Sequence, residues 1–359
     1  MKHLIISDRI FRITLFSAAA VIIIAGMMLA ESFITLMLLA IFISIIGVHP
    51  VFWLDRKKVP HWLSVTIVLL GFVLIISGLS GIIGGSVSSF TSHLGKYEAR
   101  LNVVLQSINH EFSQYGINLS SDRLTKMFDP AKILDFTAST LGQLGNVMSN
   151  TALIFFIVLF ILLEMNGIAL KAKVFGATAS EKAILNLSRI EKNLRHYLVI
   201  KTFTSLSTGV LIAFSLWIIG VEYAVLWGLI AFLLNYIPNI GSIIAAIPAI
   251  LFAWIQLGFV PALWTTIAFI TVNMFIGYLV EPRVMGKGMG LSTLVVFLSL
   301  IVWGYVLGIV GMFLSVPLTM TIKIILENNE STRSLAAWLG TDEDARRLVE
   351  EKENSEKYY

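Results

Sequence analysis

The sequence contains no cysteine among its 359 residues. This absence excludes disulfide bonds, thiolate-bound metal sites, iron–sulfur clusters and a cysteine nucleophile. Charged residues are also scarce: they make up 13% of the chain, whereas soluble globular domains carry about 25%. So small a charged fraction argues against a soluble globular protein.

Residue patterns that would carry catalysis are missing as well. The six histidines are scattered, none lies in the middle of an apolar run, and no H-E-x-x-H motif occurs. No aspartate lies inside an apolar run, which excludes an intramembrane pair of catalytic aspartates. The segment Gly286-Lys287-Gly288 lacks the glycine spacing and the following Ser or Thr of a phosphate-binding loop. We therefore expect neither an enzyme nor a bound cofactor or metal.

Apolar residues dominate the chain, at 57% with a mean hydropathy of +0.86. Apolar runs of about 20 residues are the signature of membrane-spanning helices. Runs of this length or near it lie at about 11–30, 33–48, 62–85, 148–166, 203–220, 224–237, 241–257, 261–280, 291–307 and 309–326. The sequence predicts an all-α, polytopic membrane helix bundle that contacts the lipid bilayer.

Two apolar regions, 224–257 and 291–326, are too long for one crossing. A helix of about 34 residues would extend about 50 Å, whereas the hydrocarbon core is about 30 Å thick. Each region is therefore predicted to form a hairpin, a re-entrant pair or a broken helix.

The 26 lysines and arginines are unevenly distributed. If the N-terminus is inside, most of them fall in segments on the inner side of the membrane, as the positive-inside rule requires. We therefore expect cytoplasmic N- and C-termini. Because the net charge of +4 marks a membrane face, we expect no nucleic-acid partner.

The chain divides into four predicted regions. Residues 1–85 form an N-terminal region of three spans, and 86–147 form a small external helical segment. Residues 148–327 form the main membrane region, and the polar tail 328–359 is expected to be a short helix followed by disorder. Within the main region, 181–200 is a basic amphipathic helix, which lies either on the inner leaflet or against the bundle.

The segment from residue 232, FLLNYIPNIGSIIAAIP, combines membrane-like hydropathy with helix breakers. It predicts a helix that breaks at its first proline and again at its second. Broken helices are tolerated at membrane depth where they face protein or a water-filled cavity, and they offer free backbone groups to a polar substrate. An ordinary loop between two spans is the alternative. The candidate pathway residues are Asn235, Pro238, Asn239, Gly241, Ser242 and Pro248.

A second segment, GIVGMFLSVPLT from Gly308, resembles the first when Pro317 is aligned with Pro248. Paired interrupted segments indicate the binding region of a transporter, although so short a match also arises by chance. The pathway prediction therefore extends to Pro317. It also includes Asn273, a polar residue within a predicted span.

Two carboxylates are candidate coupling acids, Glu164 and Glu281. An ionisable group inside a membrane is costly and indicates function. The alternative is that both are interfacial, with Glu281 paired to Arg283 or Lys287.

Other residues are predicted to serve packing. Gly304 and Gly308 form a GxxxG pattern, which is typical of close helix contacts. Glycine-rich faces of this kind also predict a homo-oligomer. The residues assigned to structure or packing are Pro282, Arg283, Gly304, Gly308 and Gly311.

Three longer stretches, LNYIPNIGSIIAAIPA, NMFIGYLVEPRVMGKGMGLSTLVVFLSLIVWG and LGIVGMFLSVPL, resemble the signature of the autoinducer-2 exporter family. The shorter HYLVIKT and FILLE match it too. The resemblance covers nearly the whole chain and is strongest over 196–326. It implies a bacterial inner-membrane transporter with about eight spans that exports a small polar quorum-sensing signal. Some relatives are described as sodium/proton antiporters, so the family alone does not fix the substrate.

Three functions remain open. The first is export of a small hydroxylated metabolite, with autoinducer-2 as the leading candidate. The sequence has no ATP-binding loop, which favours secondary transport. The second is cation/proton antiport, with a proton or sodium ion as coupling ion and Glu164 or Glu281 as its acid. The third is a membrane scaffold or regulatory protein.

Overall fold

The computed structural model describes residues 2–93, 95–97, 99–100, 103, 106, 151–172, 177–238, 240–285 and 290–356. Within these residues the chain is helical and contains no strand, which confirms the all-α prediction. The helices are α1 (Lys2–Leu29), α2 (Glu31–Arg56), α3 (His61–Ser92), α4 (Thr151–Ala172), α5 (Ala177–Ile219), α6 (Ala224–Leu234), α7 (Gly241–Leu257), α8 (Phe259–Asn273), a π-helix (Met274–Val280), α9 (Glu281–Met285), α10 (Thr293–Glu327), α11 (Arg333–Leu339) and α12 (Asp342–Glu356).

The chain forms two compact units. The first comprises Met1–Ile45, Asn166–Leu194 and Gly290–Tyr359, and the second comprises Ile46–Met165 and Arg195–Met289. Most of the predicted external segment, 86–147, lies outside the described residues.

Five helical stretches are long and apolar enough to cross a membrane: Glu31–Arg56, His61–Phe90, Leu187–Ile219, Phe259–Met285 and Thr293–Glu327. Their outward faces carry large apolar side chains such as Leu74, Phe214 and Ile301, as expected of helices that contact lipid. The described residues also contain shorter apolar helices, among them α6. Because α6 has 11 residues, it extends about 16 Å, which is too short for the hydrocarbon core of about 30 Å.

The second unit contains the first of the two predicted broken segments, formed by α6 and α7. Helix α6 ends at Leu234, and α7 begins at Gly241 after a turn that contains Pro238. A proline has no backbone N–H and clashes with the preceding turn of a helix, which favours an end at this point. Gly241 lies so close to the Leu234 carbonyl that a Cβ atom there would overlap it. The break near Pro238 is thus confirmed. After it, α7 runs back alongside α6.

The first unit contains the second broken segment, within α10. The backbone leaves the helical region at Leu307 (φ −126°, ψ 17°) and Gly308 (φ 60°, ψ −148°). A positive φ at this second position suits glycine, which has no Cβ. The Trp303 indole donates a hydrogen bond to Thr319 Oγ1 at 3.1 Å. Residues 293–306 and 309–327 are therefore the two arms of a hairpin, hereafter the α10 hairpin.

Two details of the predicted breaks are wrong. Pro248 lies buried inside α7, which continues from Gly241 to Leu257. Pro317 likewise lies inside the second arm of the α10 hairpin. Each proline comes about two turns after a break and removes only one backbone hydrogen bond, a loss that packed membrane helices accommodate. Gly308 does not share a helical face with Gly304, because Gly308 is at the turn itself.

The C-terminal tail contains two helices, α11 and α12, so the prediction of disorder after one short helix is wrong. The buried Lys323 of α10 donates hydrogen bonds to Asp344 Oδ2 of α12 at 2.7 Å and to the Gly290 carbonyl. A buried ammonium requires such partners. This requirement explains why the charged tail is folded back onto α10. The predicted amphipathic helix 181–200 is part of α5, which continues without interruption to Ile219.

Candidate functional site

The second unit carries polar residues at both ends of one antiparallel group of helices. The final part of α5, the α6–α7 hairpin, and α8 with its π-helix run alternately up and down. Lys201 and Ile219 are 18 positions apart on α5. A helix rises 1.5 Å per residue, so this separation is about 27 Å, close to the hydrocarbon thickness. We call the two regions the Lys201 end and the Glu222 end.

A buried ion pair defines the Lys201 end. Lys201 Nζ lies 2.9 Å from Glu281 Oε1 and 3.1 Å from Oε2. The lysine side chain is 6% exposed and the glutamate side chain 17%. Glu281 is therefore paired with a residue 80 positions away rather than with its exposed neighbour Arg283; Lys287 lies outside the described residues. Taking two charges out of water is costly, and their attraction offsets that cost only when both are present.

The π-helix delivers Glu281 to this pair. Residues Met274–Val280 adopt the wider π geometry, and Glu281 follows immediately. Single π turns inside α-helices are rare and occur frequently at functional sites. Asn273, at the junction, donates its side-chain amide to the Phe269 carbonyl at 2.8 Å. Its hydrogen bond thus serves its own helix.

The turn of the α6–α7 hairpin lies beside the ion pair. Asn235 Nδ2 donates to Ser205 Oγ at 3.0 Å, and the Tyr236 hydroxyl donates to Thr202 Oγ1 at 2.7 Å. Thr202 follows Lys201 directly, so the turn contacts α5 within one helical turn of the charged pair. Neutral donors and acceptors and one buried ion pair thus meet at the Lys201 end.

Buried hydroxyl groups continue from this point along α5. Thr204, Ser205 and Thr208 are at most 1% exposed. The hydroxyls of Thr204 and Thr208 donate to α5 carbonyls one turn back, at 3.2 Å and 3.0 Å. Residues three or four positions apart share a helical face. Lys201 and these hydroxyls therefore form a polar stripe on an otherwise apolar helix.

Small residues let α6 approach α5 just beyond the stripe. A Cβ atom on Gly209 would lie 2.7 Å from the Gly228 carbonyl, and one on Gly228 would lie 2.5 Å from the Gly209 carbonyl. Backbones this close are typical of membrane helix contacts made by small residues. This contact holds the hairpin against the polar stripe.

The remaining predicted site residues are distributed as follows. Pro238 is half-buried in the turn, Ser242 is half-buried in the first turn of α7, and Gly241 and Pro248 are buried. Asn239 lies outside the described residues. Glu164 is exposed on α4, and Pro282 and Arg283 are exposed on α9. Gly304, Gly308, Gly311 and Pro317 belong to the α10 hairpin of the first unit.

A second polar group occupies the Glu222 end; we call it the Glu222 cluster. The Tyr97 hydroxyl donates to Glu222 Oε2 at 2.5 Å, and Lys96 Nζ lies 3.5 Å from Oε1. The Glu222 backbone N–H donates to Gln256 Oε1 at 2.8 Å, and Arg100 donates to the Gln256 carbonyl at 2.7 Å. The cluster therefore joins the segment after α3, the α5–α6 turn and the end of α7.

Hydrogen bonding and nearby positive charge in this cluster favour the ionised form of Glu222. The hydrogen bond from Tyr97 lowers the pKa of the Glu222 carboxyl below its ordinary value. Partial burial raises that pKa, and Lys96 and Arg100 lower it further. Burial and the neighbouring carboxylate raise the pKa of the Tyr97 phenol. The phenol thus remains a hydrogen-bond donor over the physiological pH range.

Aromatic rings pack beneath the Glu222 cluster. Phe252 lies at the centre, with ring-centroid distances of 5.0 Å to Tyr97, 5.8 Å to Phe90, 5.9 Å to Tyr223 and 5.6 Å to Trp227. Pairs at such distances stabilise beyond the area that they bury. Trp227 Nε1 is buried without a hydrogen-bond partner among the described residues. This end is therefore closed by rings, with polar groups above them.

The sequence interpretation missed several of these residues. Lys201 is part of HYLVIKT, and the charge distribution alone predicts for it only a place on the inner side of the membrane. Glu222 lies in the short connection between α5 and α6, and Gln256 lies in the last turn of α7; hydropathy gives no signal at either position. Among the described residues, no group of three or more His, Asp or Glu side chains could hold a metal ion.

Comparison with known proteins places these features in a family. A sequence model described as AI-2E family transporter matches residues 17–330. The AI-2 transport protein TqsA of Escherichia coli K12 is 38% identical over 91% of this chain and 95% of its own length. A Haemophilus influenzae protein is 39% identical over 91% and 95%, and YhhT of Escherichia coli K12 is 35% identical over 92% and 95%. The names of these last two propose transport without naming a substrate.

Proposed function

This chain belongs to the AI-2E family of transporters, and from that membership we propose that it exports a small hydroxylated metabolite, foremost autoinducer-2. The identity to TqsA, whose name states AI-2 transport, supports this substrate. We propose that the chain acts in the bacterial inner membrane, with both termini in the cytoplasm. We also propose a homo-oligomer, because Gly78, Gly81 and Gly85 of α3 face open space, as the small residues of a membrane helix contact would.

The observation that carries the proposal is the contact between the hairpin turn and α5. Asn235 bonds Ser205, and Tyr236 bonds Thr202, through neutral groups that both donate and accept. A hydroxylated substrate offers the same kind of groups, so it can replace these hydrogen bonds one for one. A bare metal ion would instead require several oxygen ligands at once.

The direct test is transport in proteoliposomes. Purified protein is reconstituted with autoinducer-2 on one side, and transfer is followed with and without a proton gradient. We expect transfer by the native chain and a large loss in Tyr236→Phe, which keeps the ring and removes the hydroxyl that bonds Thr202. Tyr278→Phe is a matched control, because Tyr278 is exposed on the π-helix. Transfer by Tyr236→Phe at the native rate would contradict the proposed site.

Cation/proton antiport is the second candidate, and one observation favours it. Glu281 is a largely buried carboxylate that pairs with Lys201 among the described residues, and carboxylates inside membranes are typical of proton relays. Vesicles that carry the protein and a pH-sensitive dye test this function. A sodium-dependent pH change that Glu281→Gln abolishes would support antiport. Absence of any such change in the native chain would contradict it.

A further inference from the structure

We infer that α11 is an interfacial helix whose Leu335 and Trp338 side chains insert into the lipid headgroup region beside the α10 hairpin. The helix is formed by Arg333–Leu339 and lies in the first unit. The inference needs only that the chain spans a membrane, so it is independent of the transported substrate.

One face of α11 is apolar and exposed. Leu335 is 58% exposed and Trp338 is 84% exposed, whereas Ala336 between them is 1% exposed. Positions three apart lie on the same side of a helix, so the leucine and the tryptophan form one outward face. Tryptophan is enriched at membrane interfaces, because its ring combines a large apolar surface with a polar N–H group.

Hydrogen bonds fix both ends of α11 to the two ends of the α10 hairpin. Thr332, which precedes α11, donates its hydroxyl to the Leu326 carbonyl at 2.8 Å. At the other end, the Ser292 backbone N–H donates to the Leu339 carbonyl at 3.2 Å. Ser292 is the N-cap of α10, and Leu326 is in its last turn. Helix α11 therefore joins the start of one arm to the end of the other.

The length of α11 matches this position. Seven helical residues extend about 10 Å, and packed helices lie about 8–10 Å apart. The helix can therefore bridge the two arms only by lying across them. If the arms run through the membrane, α11 lies along its surface.

The apolar surface of the hairpin continues to the same level. Leu294, in the first turn of α10, is 66% exposed, and Ile325, in the last, is 56% exposed. The exposed side chains of α11 thus begin where the lipid-facing surface of the hairpin ends. The interface with lipid is the continuous partner for this face, and burial of such apolar surface is favourable.

The charge of the tail indicates how α11 contacts lipid. Helix α12 begins with Asp342, Glu343 and Asp344, and acidic groups are repelled by anionic lipids. We therefore expect insertion by apolar contact, with no requirement for anionic lipid. A basic helix attracted by charge would instead lose its contact in zwitterionic bilayers.

The test uses the absence of cysteine from the chain. A single cysteine is introduced as Trp338→Cys, labelled with an environment-sensitive fluorophore, and the full chain is reconstituted in phosphatidylcholine vesicles. Glu350→Cys, on an exposed position of α12, is the matched control, and Leu335→Cys is the second variant if the first fails to fold. We expect blue-shifted emission at 338 and 335, quenched when the lipids carry nitroxide near the headgroup, and water-like emission at 350.

Two results would overturn the inference. Emission at 338 and 335 as water-like as that at 350 would show that the face is in solvent. Shielded emission that lipid nitroxide does not quench, and that changes with protein density in the vesicle, would assign the face to a second copy of the chain.

Discussion

The two ends of the α5–α8 group hold carboxylates in opposite ways. At the Lys201 end, the Glu281 side chain is 17% exposed, and its charged partner among the described residues is Lys201. At the Glu222 end, Glu222 is shared by a phenol and an ammonium, and the side chains of Glu222 and Lys96 are 37% and 48% exposed. Removing one partner of a buried pair leaves an uncompensated charge, whereas exposed pairs contribute little. The carboxylate at the first end therefore depends on one ion pair among the described residues, and the carboxylate at the second end on several contacts.

The comparison also indicates how the two ends can serve transport. In the proposed pathway, a substrate at the hairpin turn would compete with neutral hydrogen bonds beside a buried pair of charges. The Glu222 cluster can separate in steps, since several contacts hold it and one of them, the Lys96–Glu222 ion pair, is exposed and therefore weak. We therefore expect mutations at the Lys201 end to affect folding and transport together. Mutations at the Glu222 end should act more gradually.

The largest effect is expected from Glu281→Gln. The change leaves the Lys201 ammonium buried without its counter-charge, which destabilises by about 3–5 kcal/mol. Thermal unfolding in a lipid nanodisc measures this loss. The double variant Lys201→Met, Glu281→Leu should recover most of the stability, because it removes both charges, but it should not recover transport. Arg283→Met is the control, since Arg283 is exposed on α9. Equal stability of Glu281→Gln and the native chain would show that the pair is hydrated.

The next effect is expected from Pro238→Ala. Proline in a helix interior is about 3 kcal/mol less favourable than alanine, so the change favours a helix that continues past Leu234. A continuous helix would move Asn235 and Tyr236 away from α5. We expect normal abundance and a sharp loss of flux in the proteoliposome assay. Pro248→Ala is the matched control, because Pro248 already lies inside α7, and it should keep most of the flux. Near-normal flux in Pro238→Ala would mean that the proline is only a turn former.

A smaller effect is expected on acidification, and it should arise at the Glu222 end. The pKa of Glu222 is lowered in the folded chain. Its contribution to stability is therefore present above the ordinary glutamate pKa of about 4.3, and it is lost as pH falls through the lower folded value. Because Glu222 is more than one-third exposed, we expect about 1 kcal/mol or less. Unfolding measured from pH 7 to pH 3 should show a shallower decline in Glu222→Gln. Identical slopes in the two chains would remove Glu222 from the acid response.

Much of the fold was predictable from apolar periodicity and the positions of helix breakers. Run length predicted that each long region forms a hairpin, a re-entrant pair or a broken helix, because a helix of about 34 residues exceeds the hydrocarbon core. The position of the second break was not predicted. The sequence indicated a break near Pro317, whereas the backbone leaves the helix at Leu307 and at Gly308, whose φ is 60°. Sequence reasoning treats proline as the stronger breaker. A packed helix tolerates it, however, whereas the turn itself requires a residue without a Cβ atom.

The site was less predictable, because its main contacts join residues far apart in sequence. Asn235 and Glu281 were identified as polar residues in apolar surroundings. Their partners Ser205 and Lys201 lie 30 and 80 positions away, and no local pattern specifies such pairing. The π-helix before Glu281 also has no distinct periodicity in seven residues. Only the folded chain brings these groups together.

The smallest effect is expected from Lys96→Met, which sharpens the comparison of the two ends. Lys96 and Lys201 each face a glutamate, at 3.5 Å and 2.9 Å. Only the first pair is open to water, where measured exposed pairs contribute about 0.2–1 kcal/mol and weaken with salt. We therefore expect Lys96→Met to lower stability by no more than this amount, and the loss should shrink between low salt and about 1 M salt. Lys201→Met should lose several times more, with little dependence on salt, because a buried pair is poorly screened. Unfolding of both variants across the salt series measures the contrast. A large loss of stability in Lys96→Met that does not depend on salt would mean that the Lys96–Glu222 pair is as well shielded from water as the Lys201–Glu281 pair.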